Sequence, residues 1–233
     1  MLIVNADDLG ASRSTTDPVI EGFAIGAITS TSAMVWMPDT IRAAQLAVDR
    51  GLPVGLHLNL TLPFGADEVP AAARERQLAL TAAFGSESWR GEDQPAVDGP
   101  AIAAAITEQL DEFRARFGEP THVDGHHHVH VHPLVLAQLP RTYPIRPPLS
   151  FFPGRGLHQR RLLRRFRTPE TCLAFEHLHP DLGGEGLERL APAGRRCLEV
   201  MTHPAQAAQM AALRGDRWRQ ALATLPLGSY RNL

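Results

Sequence analysis

The chain of 233 residues lacks several features that would mark whole classes of protein. It has two cysteines, Cys172 and Cys197, too few and too isolated for a disulfide framework, so a reducing, cytoplasmic setting is the default expectation. No run of about 18 apolar residues occurs, and no membrane span is expected. Lys and Arg number 23 against 25 Asp and Glu, a formal charge of -2, without the basic excess of a general nucleic-acid binder. Residues 1–8 carry no basic group ahead of their apolar run and meet two acids at once, unlike a signal peptide. There is no Walker A sequence, no G-x-G-x-x-G after the first apolar run and no G-x-S-x-G, so nucleotide-fold and serine-hydrolase readings lose support.

Hydrophobic residues make up 44% of the chain, enough for a substantial core. A single domain over residues 1–233 is expected, with 63–100, holding one helical piece, and 150–195 as loop-rich excursions. Apolar runs at 2–6, 28–37 and 54–60, with others starting near Thr121 and covering 143–146 and 197–202, read as strands. Helical patterns fall at 17–25, with Asp17-Pro18 as its start, and at 38–50, 100–117, 133–139 and 204–213. The clearest is 100–117, where Ile102, Ile106, Leu110, Phe113 and Phe117 recur at helical spacing before Gly118. Strands alternating with helices imply parallel βαβ units, an α/β fold with its functional groups at the C-terminal ends of the strands.

The chemistry-bearing residues fall at those ends. Asp7 and Asp8 follow the first run. Adjacent carboxylates repel unless a cation or shared proton relieves them, and one can bind metal while the other serves as a base; helix capping by Asp is the plainer reading. His57 interrupts an otherwise apolar run, as a core histidine or a ligand. Six of the 11 histidines lie between His122 and His132. If that segment is extended, Asp124, His126, His128 and His130 share one face, an obvious place for a divalent cation. His203 stands between the last strand and Pro204, as a helix cap or a general acid. The basic segment 160–167 reads as an amphipathic helix with Leu162, Leu163 and Phe166 turned inward, rather than a membrane or anion surface.

Several of these segments together resemble the YdjC-like carbohydrate deacetylases. The resemblance runs through Asn5-Ala6-Asp7-Asp8-Leu9-Gly10, Thr29-Ser30-Thr31-Ser32-Ala33-Met34, Gly55-Leu56-His57-Leu58, His122-Val123-Asp124-Gly125-His126-His127-His128, Ile145-Arg146 and Met201-Thr202-His203-Pro204. It implies a distorted (β/α) barrel, TIM-barrel-like, and metal-dependent removal of an N-acetyl group from an amino sugar. By position, Asp8, His57 and His126 would hold one divalent ion, Mg2+ or Zn2+. Asp7 would be the general base, His203 the general acid, and Arg146 a support for base or substrate. His128 is assigned to the substrate. Leu9, where the family has an aromatic, and Ser14-Thr15-Thr16-Asp17, where it is Asn-rich, depart from the pattern. The residues alone leave open a non-haem oxygenase-type site and a non-catalytic sugar- or metal-binding protein. The expected partner is an N-acetylated sugar, and a homodimer is left open.

Overall fold

The computed structural model describes residues 1–85, 98–149, 161, 163–194 and 196–233. Its framework is a parallel sheet in the order β4-β3-β2-β1-β6-β5: β1 Leu2–Leu9, β2 Ser30–Ala33, β3 Val54–Leu58, β4 Val123–Gly125, β5 Thr171–Ala174 and β6 Leu198–Thr202. A two-residue strand, β7 Leu227–Gly228, pairs with the start of β1. The segment after Tyr143 closes this sheet. Ile145 bridges to Val123 on β4 and Leu149 to Cys172 on β5, so the two edge strands meet through a stretch with only isolated pairing. The result is a curled parallel sheet closed irregularly, the distorted barrel that the sequence resemblance implies. Arg146 lies within the closing stretch, wholly buried.

Central β1 pairs with β2 on one side and β6 on the other, hence its near-continuous apolar run. Its register with β2 slips between Ala6 and Leu9, and Asp8 has φ 68°. A regular strand would send Asp7 and Asp8 to opposite faces. An irregularity at a strand end re-aims side chains, and here both acids serve one rim.

Helices α1 Arg13–Ala24, α2 Thr40–Asp49, α3 Ala71–Phe84 and α4 Gly99–Phe117 cover the first half of the sheet. Two sequence expectations are corrected, on the start of the first helix and on the histidine segment, and the helical piece expected in 63–100 is located. The first helix begins ahead of Asp17-Pro18, because Ser12 and Thr15 form a reciprocal capping box and Pro18 is tolerated inside. The excursion 63–100 contains a 14-residue helix, α3, which buries Ala73, Gln77, Leu80 and Phe84 on one face. The histidine segment is not extended. β4 stops at Gly125, and residues His126–Val131 turn in a kinked 3-10 helix with His127 at φ 54° and His128 at φ 60°, so His126, His128 and His130 do not share a strand face.

In the second excursion β5 pairs with β6, and two helices, Ala207–Arg214 and Asp216–Ala223, follow β6. Of the basic segment 160–167, Arg160 and Leu162 lie outside the described residues, whereas Leu163 and Phe166 pack against the core as expected. Among the described residues no helix is long and apolar enough to cross a membrane.

Candidate metal centre and its polar support

Asp8, His57 and His126 come from the ends of β1, β3 and β4 and meet at one rim. Nε2 of His57 stands 3.3 Å from Oδ1 of Asp8. That oxygen is buried and has no aligned hydrogen-bond donor among the described residues. The ring of His126 crosses that of His57 edge-on at 5.8 Å between centroids. Each imidazole is held from behind through Nδ1: Asp124 Oδ1 accepts from His57 at 2.8 Å, and Thr61 Oγ1 lies 2.6 Å from His126 Nδ1. Partners on Nδ1 leave Nε2 as the outward nitrogen, the arrangement that carboxylates and hydroxyls impose on metal-binding histidines.

In the metal-free chain the charges pair Asp8 with a protonated His57, whose Nε2 proton a cation would have to displace. Burial would raise the Asp8 carboxyl, but the adjoining His57, with His203 and His126 nearby, holds it well below the carboxylate range. Burial works against a charged His57, yet Asp124 and Asp7 raise it to about 10. His126 is lowered to about 3, chiefly by burial and then by the His57 charge. Asp8 thus offers an anionic oxygen and His126 a neutral ring.

A second grouping lies beside this one. Asp7, His57 and Asp124 have ligand-capable atoms all within 4.8 Å of one another and are all buried. Arg146 occupies their shared space. Its Nη1 donates to Asp7 Oδ2 at 2.7 Å and its Nη2 to Asp7 Oδ1 at 2.6 Å, while Nη2 also ion-pairs with Asp124 Oδ2 at 2.7 Å. Asp7 Oδ1 further accepts from Asn5 Nδ2 and Ser32 Oγ. A cation between Asp7 and Asp124 would be pressed against a guanidinium, and those oxygens are already engaged. Asp8 Oδ1, with His57 Nε2 3.3 Å away and the His126 ring beside that of His57, is an alternative donor set that could hold a divalent ion.

His203 follows β6, whose register sets Thr202 beside Ala6 and so brings His203 to the same rim. Its backbone N–H donates to Gln209 Oε1 at 2.8 Å, the oxygen that also accepts from Thr202 Oγ1. His203 Nδ1 is buried without a hydrogen bond among the described residues. The ring of His128 lies 6.3 Å from that of His130. His130 is turned inward, with Nε2 3.1 Å from the Arg146 carbonyl, and is lowered to about 4, first by burial. Thr61, Ser32 and Gln209 are contributions that sequence reasoning did not assign, and Asp124, expected on a cation-binding face with the histidines, instead holds His57 Nδ1 and pairs with Arg146. For that role of Asp124 a signal existed, an acid inside a buried strand two residues ahead of His126.

The sequence matches the profile of the family described as "YdjC-like protein" over residues 1–226. It is 32% identical over 218 residues to a chitooligosaccharide deacetylase of Escherichia fergusonii, covering 88% of this chain and 81% of that protein. It is 34% identical over 218 residues to a carbohydrate deacetylase of Geobacillus stearothermophilus, covering 87% and 78%. A crystal structure from Enterococcus faecalis V583, described as a candidate cellobiose-phosphate cleavage protein, superposes with TM-score 0.74 at 21% identity over 99% of this chain and 97% of its own. The Xyl-CE4 domain of a xylanase from the hindgut metagenome of Trinervitermes trinervoides superposes with TM-score 0.51 at 10% identity over 98% and 86%. At such identities these two structures speak for the fold alone.

Proposed function

The chain belongs to the YdjC-like family, and from that premise we propose that it hydrolyses the N-acetyl group of an amino sugar in a chitin-derived or related oligosaccharide. The observation that carries the reading is the convergence of Asp8 Oδ1 on His57 Nε2 at 3.3 Å, with both histidines held through Nδ1. Asp8, His57 and His126 would hold one divalent ion and leave positions for water and the acetyl oxygen. Zn2+ suits the two imidazoles, and Mg2+ suits the carboxylate and retained waters. Such an ion polarises a carbonyl and acidifies water.

The remaining steps belong to the chain's own groups. Asp7, fixed by Arg146, Asn5 and Ser32, takes a proton from the attacking water as its oxygen bonds to the carbonyl carbon. The C–N bond then breaks. His203, secured at its backbone by Gln209, gives the departing amine its proton, so acetate and the free amino sugar leave. Arg146 keeps Asp7 oriented. His128, on the kinked segment after β4, is assigned to the sugar. Both relatives above are named deacetylases, and nothing in the site favours an oxygenase or a silent binding protein. The test is acetate release from a panel of N-acetylated oligosaccharides, with EDTA and metal add-back. Metal-dependent release is expected, and no release from any member contradicts the proposal.

A further inference from the structure

Arg146 is wholly buried and faces three carboxylates, Asp7, Asp124 and Glu199. Such a cluster is a poor source of stability, because desolvating the ions offsets their attraction, and well-packed apolar groups of the same volume commonly do as well or better. What it supplies is orientation. The two terminal nitrogens of the guanidinium point at Asp7 and Asp124, and Nε points away from them and donates to Glu199 Oε1 at 2.8 Å. Three fixed points define a plane, and Glu199 is the only one outside the rim. Its other oxygen, Oε2, accepts from the Tyr230 hydroxyl.

Tyr230 is itself pinned. Its ring lies on His122 with centroids 3.7 Å apart and planes within 10°. His122 Nε2 stands 3.7 Å from Asp124 Oδ2, which brings the circuit back to Arg146. Gly55 in β3 leaves the room this stack needs, since a Cβ there would fall 2.3 Å from the His122 ring. Ser229 caps the turn Tyr230–Asn232 that carries the tyrosine. A closed circuit of Arg146, Glu199, Tyr230, His122 and Asp124 therefore lies beneath the rim, built partly from the segment after the last helix.

We propose that Glu199 and Tyr230 are positioning residues: they set the plane of Arg146 and, through it, the aim of the Asp7 carboxylate. The inference rests on the function proposed above, with Asp7 as the base. Among the described residues, the hydrogen bonds of Glu199 run to Arg146 and Tyr230, and Tyr230 stacks on His122, so both reach Asp7 through Arg146.

The test uses the full chain in three variants, Tyr230→Phe, Glu199→Gln and Arg146→Lys, with the double variant Tyr230→Phe/Arg146→Lys. Tyr230→Phe keeps the ring on His122 and removes only the hydroxyl. Glu199→Gln keeps an oxygen for Nε. Misaimed groups commonly cost on the order of 10²-fold, so both single variants should lower kcat for acetate release by about 10- to 100-fold. KM should stay within about twofold, as should Zn2+ affinity read by titration calorimetry. In the Arg146→Lys background, Tyr230→Phe should cost little more, because groups acting through one residue are not additive. Wild-type kcat in Tyr230→Phe, or a full additional loss in the double variant, overturns the inference alone. A loss of Zn2+ affinity matching the loss of kcat also overturns it, since the residues would then act through the ligands. A wild type that releases no acetate from any substrate overturns the function reading, and this inference with it.

Discussion

His57 holds its Nε2 3.3 Å from Asp8 Oδ1 while Asp124 grips its opposite nitrogen at 2.8 Å. One ring thus links the irregular end of β1 to the buried ion pair around Arg146, and its two nitrogens have different work.

The first prediction follows from that division. His57→Ala should remove nearly all bound metal from the purified protein while the far-ultraviolet circular dichroism stays unchanged. Asp124→Asn keeps the ring but weakens what aims it, and outer partners of this kind are worth about 10- to 100-fold in affinity. Metal analysis after dialysis against Zn2+ checks both. Full occupancy in His57→Ala would remove it from the ligand set.

Asp7 and Asp8 should separate cleanly. Asp8→Asn weakens metal binding, because the isolated oxygen at the rim is its own. Asp7→Asn keeps the metal and loses turnover, because its carboxylate is spent on Arg146, Asn5 and Ser32 rather than on the cation. Equal loss of metal in both variants would favour the deeper Asp7–His57–Asp124 grouping instead.

The metal-stripped protein should lose stability on the acid side in a defined window. Burial lowers His130 to about 4 and His126 to about 3, so both are neutral in the fold and must remain so. In the unfolded chain a histidine titrates near 6.5. Their contribution is present above that value and is lost as pH falls from about 6.5 through about 4, because the unfolded state binds more protons there. For His130, wholly buried, the loss amounts to about 3 kcal/mol. His57, raised to about 10, is protonated in both states below about 6 and adds no slope. Urea unfolding between pH 4 and 7 reads this, and His130→Gln should flatten the dependence.

His203→Ala separates the amine leaving group from one that needs no proton. Positioned acid catalysis is worth about 10²–10⁴-fold. Turnover on an N-acetyl sugar should drop by that range with metal content intact, and an activated aryl acetate should suffer much less. Equal losses would leave His203 a positional role, which its backbone tie to Gln209 could serve.

Much of this site was legible in the sequence because its residues are local and chemically loud. Two acids end an apolar strand, a histidine interrupts another, and the strand–helix alternation sends both to one rim. What the sequence concealed had two physical causes. Local backbone geometry was one: the histidines look like an alternating strand, but His127 and His128 take left-handed angles and break the face. Long-range pairing of buried polar groups was the other. Gln77 sits in the apolar stripe of α3 because its amide donates to the Asn59 and Leu62 carbonyls, and this blurred the bounds of the helical piece expected there. Glu199 sits in a wholly buried strand because Arg146 and Tyr230, 53 and 31 residues away, satisfy it. Gly55 is read as strand, yet its lack of a side chain answers to His122 in another element.

A single divalent ion at Asp8, His57 and His126 would make this chain a deacetylase. The most direct measurement is a titration of metal-stripped protein with Zn2+, following bound metal and acetate released from an N-acetylated chitooligosaccharide in the same samples. The account predicts that acetate release rises in proportion to bound metal and levels off at about one equivalent per chain, and that Asp8→Asn shifts the curve to higher Zn2+. Full acetate release by the stripped protein, or saturation of the metal with no acetate formed, would contradict it.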